Sequence, residues 1–325
     1  MSAQGRPKRE LPRSAPSAEG SPVSFTAPPS RQRNWDARAA ANFVCGGAGG
    51  GLIVFAVVAG VSSLALALPM FAGLALIGAG LLCVWHELGR PLRALHVLFH
   101  PRTSWMTREA YIAVLLFLCT VAAAAGVPGF AWVAAVLAFV FVFCQGRMLQ
   151  AARGIPSWRH ALITPLLVVT GLAEGAGLWL LAAAWLRTGT ETLVTLFGGL
   201  VLLRIVIWLA YRRAIATQAP RAHAALDTTS LVLQLAGTLL PLVAIALIPI
   251  GVVSGATTFG VAAIAGLAVA ISGAHMKFTL VTKAGFTQGA ALVRLPVRGV
   301  RRNGGQRRIS GTAGGLPADS AEMRL

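Results

Sequence analysis

The stretch ALITPLLVVTGLAEGAGLWLLAAAWL, residues 161–186, decides the fold of this chain. It carries a single charged residue, Glu174, and its apolar residues surround the helix on all sides instead of forming one stripe. A helix needs about 20 mostly apolar residues to cross a bilayer. A helix of this length that is apolar all round is typical of a membrane span. The stretch therefore predicts a transmembrane helix.

Seven further stretches repeat this pattern, and 56% of the chain is hydrophobic while only 12% is charged. Soluble domains carry about 25% charged residues. The apolar runs also exceed the alternating strands of about 10 residues that build membrane barrels. We predict an all-α integral membrane protein with eight transmembrane helices in two four-helix bundles. The predicted spans are 43–66, 71–85, 110–125, 130–143, 161–186, 192–211, 229–250 and 258–277.

The basic residues lie on one side of this topology. The chain has 28 Lys and Arg against 10 Asp and Glu, a net charge of +18. They fall in both tails and in the loops after spans two, four and six, whereas Arg187 is the only basic residue in the other four loops. The positive-inside rule then predicts cytoplasmic termini and long loops in a bacterial inner membrane. Because the basic residues follow the membrane topology, we expect them to contact membrane lipid and no nucleic acid.

The ends of the chain differ in composition from the spans. Residues 1–33 are rich in Pro, Ser and Arg, and residues 286–325 are rich in Gly and Arg. Neither segment has enough apolar residues for a core of its own. We predict a disordered basic N-terminal tail over 1–33, an eight-helix membrane domain over 34–285, and a basic, mostly disordered C-terminal tail over 286–325.

A polar stretch interrupts the apolar pattern between the second and third spans. Residues 85–111, WHELGRPLRALHVLFHPRTSWMTREAY, hold three His, four Arg and two Glu. Charge at a membrane is costly unless it is paired or functional. A simple link between two helices needs only a few neutral residues. The composition predicts a site at the membrane surface that holds a polar group.

The metal-binding residue types are poorly placed for metal sites. Cys45, Cys83, Cys119 and Cys144 have none of the close spacings that iron–sulfur or zinc ligands show. Of the six His, only His275 lies well inside a predicted span, where it has no partner for a haem. We expect no metal site, no haem and no iron–sulfur cluster on this chain.

Two features of the spans leave alternatives open. The run of glycines at 46–51 permits either close helix packing or a groove in which a flat ring lies on bare backbone beside Asn42. Glu174 and Arg204 are charges at membrane depth, where a charge normally faces the interior and finds a partner. We expect them to pair, as a structural ion pair or as part of a proton path. Such buried charges also suit a solute transporter.

Four short motifs carry a resemblance to a known family. They are LGRP at 88–91, SWMTRE at 104–109, RGIPSW at 153–158 and NWDARAAANF at 34–43. Together they resemble the membrane subunits of the NrfD/polysulfide reductase family, which includes the anchor of dimethyl sulfoxide reductase. The start is similar to a branch with the membrane subunit of phenylacetyl-CoA:acceptor oxidoreductase. The resemblance covers about residues 34–285.

The resemblance implies a function. Such subunits anchor a molybdopterin catalytic subunit and a four-cluster iron–sulfur subunit, and they exchange electrons with membrane quinone, either menaquinone or ubiquinone. A His before the Leu-Gly pair and the Glu after Ser-Trp belong to the family's quinone site, which implies proton-transfer roles for His86 and Glu109. Here Glu87 stands between His86 and Leu88, so Glu87 shares that candidacy. The quinone-contacting residues implied are Asn42, Arg90, Ser104, Trp105 and Arg108.

The chemistry of these residue types agrees with that role. Quinone reduction takes up two protons with two electrons, and a carboxylate or imidazole near a ring oxygen can deliver them. Arg90 and Arg108 suit negative charge on a reduced ring, and equally lipid phosphate at the interface. We therefore expect a non-catalytic membrane subunit of an oxidoreductase. The alternatives are a solute transporter and a purely structural anchor without quinone chemistry.

Overall fold

Most helices of this chain are long and apolar. The structure, a computed structural model, describes residues 25–61, 64–87, 96, 98–186, 191–250, 252 and 254–292. The α-helices in these residues are α1 (Ala37–Val58), α2 (Leu64–Glu87), α3 (Trp105–Ala124), α4 (Phe130–Gln150), α5 (Ile163–Leu186), α6 (Glu191–Gln218), α7 (Pro220–Ala225), α8 (Asp227–Gln234), α9 (Leu240–Ala246) and α10 (Ala256–Thr282).

Eight of these segments are long and apolar enough to cross a membrane. They are α1 to α6, the continuous run Asp227–Ala246, and α10. In that run, a π-helical segment at Leu235–Leu239 joins α8 to α9. The prediction of an all-α membrane protein with eight spans is confirmed, and the chain is a multi-pass membrane protein.

Two helices begin earlier than predicted, because polar residues cap them. The Asp36 carboxylate accepts a hydrogen bond from the Arg38 backbone N–H at 2.7 Å, so α1 starts at Ala37 rather than at 43. The Ser104 hydroxyl accepts from the Thr107 backbone N–H at 3.3 Å, so α3 starts at Trp105 rather than at 110. Side chains of this type satisfy N–H groups that a helix start leaves free. The shift brings Glu109 inside a helix.

Helices α1 and α5 form the interior of the helical assembly. Their spans are the two most buried of the eight, and α2, α3 and α6 are among the least buried. Helix α1 packs against α2, α4, α5 and α10, and α5 packs against α1, α4, α6 and α10. Helix α1 therefore lies at the centre of one set of contacts and α5 at the centre of another, and the extensive α1–α5 contact joins the two sets.

Glycine permits this close contact between central helices. A methyl group on Gly175 of α5 would lie 2.0 Å from the Gly51 carbonyl carbon of α1. On another face of α5, a methyl on Gly177 would lie 2.3 Å from the Gly266 carbonyl oxygen of α10. The small-residue rule for membrane helices explains both contacts. The glycines at 46–51 serve the same purpose: each lies against another helix or against a side chain that reaches α1, so they form no open groove.

We expect Gly175→Ala to destabilise the protein markedly. The added methyl meets backbone of α1, which can move only if the two central helices separate, and overfilling a packed interior typically costs about 1–3 kcal/mol. The matched control is Gly199→Ala, since a methyl on Gly199 of α6 would have no atom within 4 Å. That change should be neutral or stabilise by roughly 0.5–1 kcal/mol. Thermal unfolding in detergent compares the two, and equal stabilities would contradict the close α1–α5 contact.

The ends of the described chain contain short pairing segments. Strands β1 (Phe25–Ala27) and β2 (Ala290–Leu292) form a two-stranded sheet, and Arg31 makes a β-bridge with Phe286. Segments predicted as disordered, at 25–33 and 286–292, therefore hold regular hydrogen bonds; the rest of both predicted tails lies outside the described residues. Contacts group residues 27–290, which hold the helices, into one unit, and the described residues 25–26 and 291–292 fall outside it.

Candidate functional site

A pocket of about 550 Å³ lies where the beginnings of α1 and α3 meet the ends of α2 and α4. Its volume falls in the usual range for small-molecule sites, about 300–1,000 Å³. The walls are mostly apolar and aromatic, and they include Trp35, Phe43, Leu81, Trp85, Met106 and Met148. Polar side chains enter the walls at a few points, among them Asn42, Glu87 and Glu109. These three are residues that the sequence predicted for a site.

Asn42 and Glu109 form a buried polar pair in the pocket wall. They are 4% and 3% exposed, and the Asn42 amide Nδ2 donates to Glu109 Oε1 at 3.4 Å. The Asn42 amide oxygen Oδ1 is buried and has no hydrogen-bond partner among the described residues. An unpaired buried polar atom is costly. This oxygen lies against α2, since a methyl on Gly80 would stand 3.0 Å from it. The pocket wall therefore holds a buried amide beside a buried carboxyl group.

Gln145 of α4 supports this pair from behind. Its Nε2 donates to the Asn42 backbone carbonyl at 2.9 Å, and its side chain also lies against Glu109. A methyl on Gly46 would stand 2.2 Å from Gln145 Nε2, so glycine at 46 gives the Gln145 amide access to α1. The sequence analysis missed Gln145. The available signal was its position as the lone amide in the apolar face of the fourth helix.

Glu87 lies at the surface end of the pocket. It is the last residue of α2 and is half-buried. Nearby, Arg38 pairs with Asp36 at 2.8 Å and donates to the His86 backbone carbonyl at 3.0 Å, which ties the start of α1 to the end of α2. Arg38 holds the pKa of Asp36 below its usual range by hydrogen bonding to the carboxylate. Glu87 thus sits between the buried pair and the polar membrane surface.

Four predicted site residues are not among the pocket-lining residues. His86 is exposed, and its backbone contacts Arg38. Ser104 caps α3. Arg108 lies 4.2 Å from the Trp105 ring and donates to the carbonyls of Pro101 and Arg102, each at 2.8 Å.

The helical repeat explains this arrangement. With α3 starting at Trp105, residues 106, 109 and 110 face the pocket, whereas Trp105 packs on Phe143 and lies near Arg147 of α4. The motif residues therefore shape the start of α3 and leave Glu109 facing inward. The last predicted site residue, Arg90, lies outside the described residues.

The predicted pairing of Glu174 with Arg204 is wrong. Glu174 pairs instead with Lys277 of α10, at 2.5 Å between Oε2 and Nζ, and both side chains are buried. Lys277 Nζ also donates to the backbone carbonyls of Phe43 at 2.8 Å and Val44 at 3.2 Å. A methyl on Gly47 would stand 2.5 Å from Nζ, so glycine makes room for the ammonium group. Since Phe43 lines the pocket, Lys277 fixes part of the pocket wall.

Arg204 instead bonds to a backbone carbonyl that a proline leaves without its usual helical donor. Pro241 lacks the N–H that would bond to the carbonyl four residues earlier, at Gly237. The Arg204 guanidinium donates to that Gly237 carbonyl and to the Val269 carbonyl, the latter at 3.2 Å. The buried arginine therefore donates to one carbonyl of the π-helical segment and one of α10, while its Nε has no hydrogen-bond partner among the described residues.

The described residues contain no group of three or more His, Cys, Asp or Glu side chains that could hold a metal ion. His275 is the one histidine that the sequence placed well inside a span. Its Nε2 lies 3.2 Å from the Thr229 hydroxyl oxygen. What the arrangement offers is a mostly apolar pocket with one buried amide, one buried carboxyl and a second carboxyl near the surface.

No protein-family model matches the chain, and no curated protein sequence matches it.

Proposed function

We propose that this chain is the membrane anchor and quinone-binding subunit of a multi-subunit oxidoreductase. The observation that carries the proposal is the pocket at the surface end of α1 to α4. Its aromatic and apolar walls suit a flat ring, and the Asn42–Glu109 pair suits a ring oxygen. Sites for small molecules typically combine an apolar lining with a few placed polar groups.

The polar groups match the protons of quinone chemistry. A quinone becomes a quinol by taking up two electrons and two protons, one on each ring oxygen. The Asn42 amide can hold a ring oxygen, and the Glu109 carboxyl can give or take the proton there. Glu87, half-buried and nearer the surface, can exchange protons between the pocket and water. In the reverse direction the same groups accept the protons of a quinol.

The electrons come from a partner subunit in this proposal. The pocket lies at the ends of the spans that carry the long basic loops, so a soluble protein docked on these loops would stand close to it. The sequence motifs support a four-cluster iron–sulfur subunit as that partner, with a molybdopterin catalytic subunit beyond it. In this proposal the face lies on the cytoplasmic side of a bacterial inner membrane, as the positive-inside rule predicts.

The proposal is tested on the tagged chain purified from its own membranes in mild detergent, together with any bound proteins. We expect the preparation to transfer electrons to a water-soluble quinone analogue, and to bind that analogue when the partners are removed. Electron transfer to an artificial dye without any to the quinone analogue would favour a purely structural anchor. Solute flux in proteoliposomes, with no quinone binding, would favour a transporter.

A further inference from the structure

An apolar groove continues the pocket along the outer side of α2 and α3. It has a volume of about 400 Å³. Two of its lining residues, Leu81 of α2 and Ala110 of α3, also line the pocket. The groove therefore begins where the pocket ends. Its other lining residues, all on α3, are Ala113, Val114, Phe117 and Leu118.

The helix geometry explains why the groove stays open. Its α3 residues recur three and four positions apart, so they form one stripe on the helix. That stripe continues the pocket residue Met106, and from Met106 to Leu118 α3 rises about 18 Å. Helix α2 packs closely on α1, and α3 on α4, but α2 and α3 pack loosely on each other. Gly78 of α2 widens the gap, since even a methyl there would only reach van der Waals distance, 3.6 Å, from Phe117.

The groove also opens outward. Val114 and Leu118 are 57% and 64% exposed, although they lie in the middle of an apolar span. In a bilayer this face meets hydrocarbon chains. A path of apolar side chains thus leads from the lipid, between α2 and α3, to the Asn42–Glu109 pair.

We infer that pocket and groove are one site for a ring compound with a long prenyl tail, which enters from the bilayer between α2 and α3. The ring lies in the pocket and the tail in the groove. The inference rests on the proposed quinone function for the ring, and it adds the tail and the access route. A water-soluble substrate would make no use of the groove. A phospholipid fits poorly, because its phosphate would meet the carboxyl groups of Glu109 and Glu87.

The role of the groove is steric, so the test is to block it with a larger side chain. Lipid tails are as apolar as the groove, so burying a prenyl chain in it gains little free energy from the bilayer. The groove instead gives the tail an exit while the ring is seated. Blocking it should therefore exclude tailed ligands and spare the ring alone.

Val114→Phe places a larger side chain in the groove, and Val121→Phe is the matched control. Val121 lies two turns further along α3, is 53% exposed and lines neither pocket nor groove. The full-length chain is titrated with menaquinone-4 and its tail-less parent menadione, and with ubiquinone-2 and its tail-less parent ubiquinone-0. For the pair that the wild type binds, we expect Val114→Phe to lower the affinity for the tailed probe by roughly tenfold, because the phenyl ring and the tail then compete for the same space. Its affinity for the tail-less probe should change less than about twofold. Val121→Phe should change the affinity for neither probe.

A second measurement needs no variant. A quinone with a diazirine in its tail is photolysed on the wild-type chain, and the labelled peptides are identified by mass spectrometry. Label on α3 between 113 and 118 is the expected result. If the ring probe binds but the label falls on other helices, or Val114→Phe affects both probes equally, the tail assignment is wrong while the proposed function stands. If the wild type binds no ring probe, both are wrong.

Discussion

Glu109→Gln is expected to lower quinone-linked turnover by about 100- to 10,000-fold, the usual cost of losing one general acid–base group. Glutamine keeps the size of the side chain and can still accept the hydrogen bond from Asn42 Nδ2. It cannot carry a proton to or from a ring oxygen. The loss should therefore appear in turnover, with binding of the quinone analogue nearly unchanged.

The measurement compares two acceptors on the purified complex. Electron transfer to a dye that reacts with the soluble partner should survive in Glu109→Gln, because the complex still assembles. Glu191→Gln is the matched control, since Glu191 begins α6 and none of the residues described as lining the pocket belongs to α6. If Glu109→Gln kept quinone turnover within about threefold of wild type, Glu87 would become the better proton-transfer residue. If the variant lost its partners, Glu109 would serve the docking of the partner subunits first, through the start of α3.

The sequence predicted the fold and the centre of the site for different reasons. Eight spans follow from apolar length alone, which is a local property. Glu109 and Asn42 were predicted from the family resemblance of their motifs, from the polar residues clustered at 85–111 and from the Gly-rich first helix. That the two touch follows from the contacts of α1 with its neighbours, which no local pattern reports.

The residues that the sequence misjudged depend on helix rotation and helix ends. Lys277 stood at the predicted end of the last span, where a lysine normally extends to the surface. Helix α10 continues to Thr282, so Lys277 is more than a turn inside and fully buried. Helix α5 packs against both α6 and α10, so its neighbours alone could not decide between Arg204 and Lys277 as the partner of Glu174. The motif residues Ser104 and Trp105 are close in sequence to Met106 and Glu109, which line the pocket, but they build the start of α3.

Lys277→Met is expected to destabilise the protein strongly, by about 3–5 kcal/mol, the usual cost of removing one partner of a buried ion pair. The change leaves the Glu174 carboxylate buried without its cation, and its Oε1 already has no hydrogen-bond partner among the described residues. It also removes the donor to the Phe43 and Val44 carbonyls of α1. Lys283→Met is the matched control, because Lys283 is exposed at the end of α10.

The double variant Glu174→Met with Lys277→Met separates the lost pairing with Glu174 from the lost hydrogen bonds to α1. Replacing a whole buried ion pair by apolar residues of similar size is often neutral or stabilising. The double variant should therefore be more stable than Lys277→Met alone, measured by thermal unfolding in detergent. Its quinone affinity is a second readout, since the Phe43 carbonyl stays unsupported and Phe43 lines the pocket. Recovered stability with weakened quinone binding is the expected result, because Lys277 positions the pocket wall. If the double variant were no more stable than Lys277→Met, the hydrogen bonds to α1, and not the pairing with Glu174, would be what Lys277 contributes.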